Sequence, residues 1–546
     1  MKDNSQQLII SVLSDYIKKQ GIAQPPEAGL YLDIPAQERF GDLSSNIALI
    51  LSKSLKRPPI EIARDIVAHI KESPQQAALN DYIKEIKIEG AGFINFYLRE
   101  EYLFSQLSNL IAQGSKFFRR DSGKGKRVLI EFVSANPTGP LSIAHARQAA
   151  VGDVLANILD LCGFGVKREY YLNDEGNQIN ILGKSVAARM EELAGKTVEF
   201  PENYYQGDYI YEIARESQSH QVTKSQDLSE FAANYILAII KKELEDFGVK
   251  FDCWYSQKEL GKSGKIEKAL DCLKEKGFME EKEGALWFKS SAFGDDKDRV
   301  VIKSDGSYTY LAPDIAYHQE KFKRGFEWLI NLWGPDHHGY INRLKASVEA
   351  SGHPAGSLDI VIVQLATIFK DGKSVEMSTR RGQYITLREV LDEVGRDASR
   401  FFFLMRKTSS HLDFDLDIAK KQTPENPVYY VQYAHARICS ILKNTQPKAR
   451  RKTDFLFLKE DEEIGLVKKI LQFTSVTEAC VKALDPYLLT VYLQELAEKF
   501  HKFYDCHRVL GQADELTQAR LGLIEATRIA IAAGLEILGV RSPQEM

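Results

Sequence analysis

Residues 134–147 read SANPTGPLSIAHAR, where a proline- and glycine-rich turn runs straight into a helix that carries one histidine. Three ingredients make a phosphate-binding site: a glycine turn, a helix start whose N–H groups lack intrahelical acceptors, and a nearby side-chain donor. Gly139, the helix predicted over 142–161 and His145 supply all three. A P-loop would do similar work with GxxxxGK[ST]. The GK[ST] triplets that begin at Gly183, Gly261 and Gly372, however, have Gln178, Ser256 and Thr367 where the first glycine belongs. The stretch at 134–147 is thus the nucleotide candidate, although His145 taken alone reads more readily as packing than as chemistry.

The elements that must position this loop are legible on either side of it. RVLIEFV (127–133) is an apolar run of the kind buried in a sheet, SIAHARQAAVGDVLANILDLCG reads as an amphipathic helix ending at Gly163, and VKREYYL (166–172) is a second strand. Such a βαβ unit predicts a parallel sheet with ligands at the strand C-terminal ends, where Glu131 sits. EWLINLW (327–333) and DIVIVQL (359–365) add strands around the helical YINRLKASVEASG. The fold class expected is multidomain α/β, with a small α+β module over 1–115 and a Rossmann-like domain with insertions over 120–385. The turn-rich basic run RRDSGKGKR marks the first boundary. Past 385 the strands are expected to stop, and helical spacing dominates 386–546 as a C-terminal bundle.

Composition narrows the partners. With 72 basic against 76 acidic side chains, a nucleic acid must be met by local patches and not by a global positive field. Cys162, Cys253, Cys272, Cys439, Cys480 and Cys506 form no CxxC pair, which predicts neither zinc nor a disulfide framework and suits a reducing cytoplasm. Nowhere do 18 apolar residues run together, so no membrane span or signal peptide is expected.

ANPTGPLSIAH resembles the HIGH signature of class I aminoacyl-tRNA synthetases, and SANPTGPLxxxHAR resembles its form in arginyl-tRNA synthetases. EYYLNDEGNQI (169–179), FDCWYS (251–256), LAPDIAYHQEKF (311–322), LWGPDHHGY (332–340), VEMSTRRGQYITL (375–387) and NPVYYVQYAHARI (426–438) look like segments of that family in the same order. The resemblance implies ATP-dependent activation of L-arginine to an adenylate and its transfer to the 3′-terminal ribose of tRNA(Arg). It also implies a first module that contacts tRNA, a C-terminal domain that binds the anticodon, and Mg²⁺ held mainly through ATP phosphates. Zinc, DNA and membrane are not expected, and a monomer is. Both signatures depart from the pattern: SIAH stands for HIGH and EMSTR for KMSKS, with Glu376 and Thr379 in place of two lysines. The alternative expectation is therefore a non-catalytic, tRNA-binding relative.

The residue roles follow from the same resemblance. ATP binding falls to Ala135, Asn136, Pro137, Thr138, Gly139, Pro140, Leu141, Ser142, Ile143, Ala144 and His145, with Met377 and Ser378, and catalysis to His145, Arg380 and Arg381. Arginine binding falls to Glu131, Ser134, Asn136, Tyr310, Asp314 and His338. The chemistry suits the substrate, because a planar guanidinium pairs with carboxylates and lies against aromatic faces. Tyr430, Tyr433, His435 and Arg437 are assigned to tRNA, where aromatic rings can stack on unpaired bases. KARRK (448–452) reads as a solvated loop.

Overall fold

The computed structural model describes residues 4–22, 32–35, 37–222, 225–375, 384–445 and 453–546. A five-stranded parallel sheet lies at its centre, in the order Leu358–Ile362, Trp328–Trp333, Arg127–Glu131, Gly165–Leu172 and Cys253–Ser256. The chain enters at the middle strand, builds outward on one side, then crosses back to build on the other. The order reverses between Arg127–Glu131 and Trp328–Trp333, whose pairing sets Glu131 opposite Asn331. A doubly wound sheet binds its ligands in the crevice at that reversal, outside the strand C-terminal ends. The two strands are buried on both faces, which is why Val128–Ile130 and Leu329–Ile330 read as unbroken apolar runs.

The helix that follows the first strand, Ile143–Leu161, buries fourteen of its residues. It is enclosed and not amphipathic, packed between the sheet and the helices Leu387–Phe403 and Asp514–Leu538. Gly152 lets it approach the first strand's end, since a Cβ there would lie 2.3 Å from the Phe132 ring. Gly152→Ala is expected to destabilise the protein by about 1 to 3 kcal/mol through overpacking, read as a lower denaturation midpoint.

The remaining elements hang on this frame. Residues Leu43–Ser45, Ile83–Glu89 and Phe93–Leu98 form an antiparallel sheet in the N-terminal module, whose core is separate from the main one. Helices Asn177–Leu193, Tyr209–Ser219 and Ser225–Asp246 fill the crossover between the second and third strands. A three-stranded antiparallel sheet and the helix Leu311–Lys323 fill the next crossover. The expectation that strands end near 385 is corrected: Leu412–Asp415 pairs in parallel with Ala366–Lys370. Its buried Leu412 and Phe414 alternate at the strand period, but the segment is too short to stand out among helical neighbours.

Among the described residues, five helices, from Pro427–Lys443 to Asp514–Leu538, form the C-terminal bundle. Arg400 joins it to the sheet domain from full burial. Its Nε donates to Leu538 O (2.6 Å), Nη1 to Phe247 O (3.1 Å) and Nη2 to Asp153 Oδ2 (2.6 Å). No described helix is long and apolar enough to cross a membrane.

Candidate functional site

At the end of the first strand the backbone folds sharply. Val133 (φ 68°) and Ser134 (φ 41°) both adopt the left-handed region, which costs a β-branched residue free energy and points to a function that holds it there. The turn lets Ser134 Oγ accept the Tyr171 amide (3.1 Å) and donate to Glu131 Oε1 (3.1 Å). Tyr170 Oη donates to Ala135 O (2.7 Å), and Asn136 Nδ2 donates to Gln178 Oε1 (2.6 Å). Ala135, Pro137, Leu141 and Ile143 turn their side chains into the protein, so their share of any nucleotide contact falls to the backbone. Thr138, Gly139, Pro140, Ser142, Ala144 and His145 remain half-buried along the loop and the helix start.

His145 sits in the first turn of the helix and closes a capping box with Ser142. The Ser142 amide donates to its Nδ1 (3.2 Å), and Ser142 Oγ lies 3.1 Å from the same nitrogen. An amide only donates, so Nδ1 is the bare nitrogen and the neutral ring carries its proton on Nε2. Burial lowers the imidazole to about 4, with Asp336 opposing, so the ring is neutral at physiological pH. It offers a hydrogen bond, not a charge.

Behind the loop lies a cluster of carboxylates, with Glu131 and Glu169 buried and Asp314 half-buried. Glu131 Oε2 accepts from Lys321 Nζ (2.5 Å), which also donates to Asn331 Oδ1 (3.2 Å), and this lysine is fully buried. Glu169 takes Arg324 through both guanidinium ends (2.5 and 2.8 Å) and the Tyr317 hydroxyl (2.7 Å). Burial pushes Glu169 up, but these bonds outweigh it and hold the carboxyl below the usual range. Asp314 differs. Tyr340 Oη donates to its Oδ2 (2.7 Å), and no basic side chain pairs with it among the described residues. Burial raises its carboxyl to about 6, with Glu131 adding to the shift. Three carboxylates meet two cations here, and Asp314 is the one left for a cation from outside.

Sequence reading singled out Glu131, Ser134 and Asp314, and the structure brings them to one crevice. It missed Lys321, Arg324, Glu169 and Tyr340, although each lies in or beside a quoted segment. Tyr310 does not line a closed wall: its side chain is 84% exposed at the start of the Leu311–Lys323 helix, and Tyr340 is the ring on Asp314. His338 is exposed on the short turn Pro335–Tyr340, on the side where Asp336 faces His145. Met377, Ser378, Arg380 and Arg381 lie outside the described residues, as do Glu376, Thr379 and KARRK.

In the bundle, one assignment is corrected. His435 is 2% exposed and its Nδ1–H donates to Pro543 O (2.8 Å), so it pins the C-terminal segment and is closed to a nucleic acid. The other three remain half-buried at the surface. Tyr430 lies against His501 (4.7 Å between ring centres), and Tyr433 stacks on Tyr429 at 6.0 Å and 7°. Arg437 donates to Tyr433 Oη (3.0 Å) and lies over the Tyr433 and Tyr504 rings.

A parallel sheet with this loop at its reversal, followed by a helical bundle, defines a class I aminoacyl-tRNA synthetase. Residues 106–415 match the family model described as tRNA synthetases class I (R), catalytic domain. Residues 7–98 match the arginyl tRNA synthetase N terminal domain, and 431–546 the DALR anticodon binding domain. The chain belongs to the arginyl-tRNA synthetase family. It is 45% identical over 530 residues to the arginine–tRNA ligase of Geobacter sp. (strain M21), covering 94% of each chain. It is 43% identical over 560 residues to that of Syntrophotalea carbinolica, covering 100% of each. The arginyl-tRNA synthetase structures from Thermus thermophilus (TM-score 0.78, 21% identity, 99% and 100% of the chains) and Plasmodium falciparum (0.75, 18%, 99% and 99%) share the fold. The non-catalytic alternative finds no support, because relatives matched over the full chain are named as ligases.

Proposed function

We propose that this site joins L-arginine to the 3′-terminal ribose of tRNA(Arg) in two steps, and that Asp314 selects the amino acid. The observation that carries the reading is a half-buried carboxylate, held by Tyr340 and left without a cation, at the reversal point of the sheet. A guanidinium is always charged and presents paired donors, so it meets Asp314 with hydrogen bonds as well as charge. Ser134, Asn136 and His338 complete the arginine set in this reading, with Glu131 behind them as a carboxylate already paired to Lys321.

In the first step an arginine carboxylate oxygen bonds to the α-phosphorus of ATP, the α–β phosphoanhydride bond breaks and pyrophosphate leaves. In the second, a terminal ribose hydroxyl bonds to the arginyl carbonyl carbon, AMP leaves and the hydroxyl proton is lost. The chain's work is to hold reactants and stabilise charge on the transferring phosphorus. His145 donates from Nε2, the start of its helix faces the phosphates, and Arg380 and Arg381 supply cations. Magnesium enters with the nucleotide as MgATP. Six free cysteines are in keeping with a cytoplasmic setting, and a monomer is the form proposed.

The test is arginine-dependent charging of tRNA by the purified chain with ATP and Mg²⁺. Formation of arginyl-tRNA is expected, and its absence would overturn the reading. On the tRNA side, Tyr433→Ala is expected to weaken tRNA(Arg) binding by about tenfold, since stacking on a ring contributes roughly 1 to 3 kcal/mol per base. Equal dissociation constants for the variant and the wild type, measured by filter binding, would remove Tyr433 from the tRNA surface.

A further inference from the structure

Three carbonyls of the nucleotide loop, on either side of Gly139, are held from outside. Tyr209 Oη donates to Thr138 O (2.8 Å), Tyr384 Oη donates to Pro140 O (3.0 Å), and the Leu387 amide donates to Leu141 O (2.8 Å). The buried Glu243 carboxylate lies beside the Leu141 amide. The Thr138 amide is bound to Asn136 O (2.7 Å), the Ser142 amide to His145, and Pro140 has none to offer. Among the described residues, Gly139 and Leu141 are the main-chain donors of 138–142 without a hydrogen-bond acceptor, and only the Leu141 N–H has a carboxylate, Glu243, beside it.

Peptide geometry fixes where that donor points. The Thr138–Gly139 bond is trans, and in a planar trans peptide C=O and N–H point in opposite directions. By holding Thr138 O, Tyr209 turns the Gly139 N–H away from its own helix. Tyr384 holds the Pro140 carbonyl, two peptides further on, so the chain is pinned on both sides of Gly139 and the Thr138–Gly139 peptide cannot flip without breaking the Tyr209 bond. Room at Gly139 is tight: a Cβ there would lie 3.1 Å from Tyr209 Oη and 3.2 Å from Tyr384 Oη. The two hydroxyls thus converge on one backbone point from elements that are 175 residues apart in sequence, Tyr209 and Tyr384.

We propose that Tyr209 and Tyr384 are positioning residues that present the Gly139 N–H as a hydrogen-bond donor to the ATP phosphates, building half of an anion cradle completed by the helix start. The proposal rests on the nucleotide-loop reading above and adds the donor and its two supports. It also gives the crossover helices a role in adenylate formation, because Tyr209 heads one of them and Glu243 lies on another.

Tyr209→Phe, Tyr384→Phe and the double variant keep both rings and remove only the hydroxyls. With saturating arginine and tRNA, single-turnover adenylate formation is expected to slow, and the ATP KM to rise, by a combined factor of about 5 to 10 for each hydroxyl lost, the size of one hydrogen bond. The arginine KM and the tRNA Kd should stay at wild-type values. A double variant with wild-type rate and ATP KM would overturn the proposal. A matching rise in the arginine KM would overturn it as well, since the hydroxyls would then support the whole site and not the phosphate donor. A wild-type chain that charges no tRNA would count against the underlying reading, whereas titration of a non-hydrolysable ATP analogue into the same variants still tests this one.

Discussion

Asp314→Asn is expected to raise the KM for arginine by roughly 30- to 1,000-fold, the loss of about 2 to 4 kcal/mol when one partner of a buried charge pair goes. Asparagine fills the same volume and still accepts the Tyr340 hydroxyl, so the change removes charge and little else. The ATP KM should hold, because the nucleotide loop is built from other residues. Wild-type protein supplies a second reading of the same carboxylate. With its free-enzyme value at about 6, Asp314 is neutral below that pH, and kcat/KM for arginine is expected to fall about tenfold per pH unit beneath it. The variant should lose that limb of the profile. An unchanged arginine KM in Asp314→Asn would make the residue structural and remove the specificity argument.

Stability should move the opposite way from activity. The folded carboxyl, at about 6, stands above its ordinary value near 4, so the folded state binds more protons than the unfolded one between those values. That contribution to stability is full below about pH 4 and is lost as pH rises through 6. At pH 7 the ionised Asp314 is a cost, and the asparagine variant is expected to be the more stable protein, by on the order of 1 to 2 kcal/mol. A waiting carboxylate is strain that arginine relieves, which is why it reads as a binding group and not as part of the core.

The sheet was legible in the sequence because parallel strands buried on both faces are written as apolar runs, and the loop was legible because a proline- and glycine-rich turn runs straight into a helix start. Asp314 followed from the resemblance together with the chemistry of a guanidinium. What sets its state was hidden. Lys321 sits in HQEKFKR, which reads as a solvated helix face, yet it is fully buried on Glu131, 190 residues away. Tyr340 ends LWGPDHHGY, where nothing local marks it as the partner of a carboxylate 26 residues away. His435 failed for the reverse reason: its stripe of rings promised a surface, but a carbonyl 108 residues later in the chain closes over it. Local pattern gives elements, while the burial of a polar side chain depends on which distant segment docks against it. Both the Lys321 pair and the His435 pair are long-range contacts of that kind.

His145→Asn is expected to slow adenylate formation on the order of 100- to 1,000-fold, the usual loss when one aimed donor is taken from a developing charge. Asparagine's side-chain oxygen takes the place of Nδ1 and can accept the Ser142 amide, so the helix cap is kept while the Nε2 donor is lost. His145→Gln makes the complementary change, carrying an N–H out to the Nε2 position and giving up the cap, and should recover part of the rate at some cost in stability. If both variants keep the wild-type rate, His145 is a helix cap and nothing more. The pH dependence of stability separates the two roles again. The folded imidazole, at about 4, lies below its ordinary value of 6.5, so between these values the unfolded chain binds the extra proton. His145 therefore supports the fold fully above pH 6.5 and loses that support as pH falls towards 4. The stability of His145→Asn relative to wild type should rise on acidification, whereas that of Asp314→Asn should rise as pH increases. Opposite slopes from two neighbouring groups would show that one is held neutral as a donor and the other is held ready to ionise against a cation.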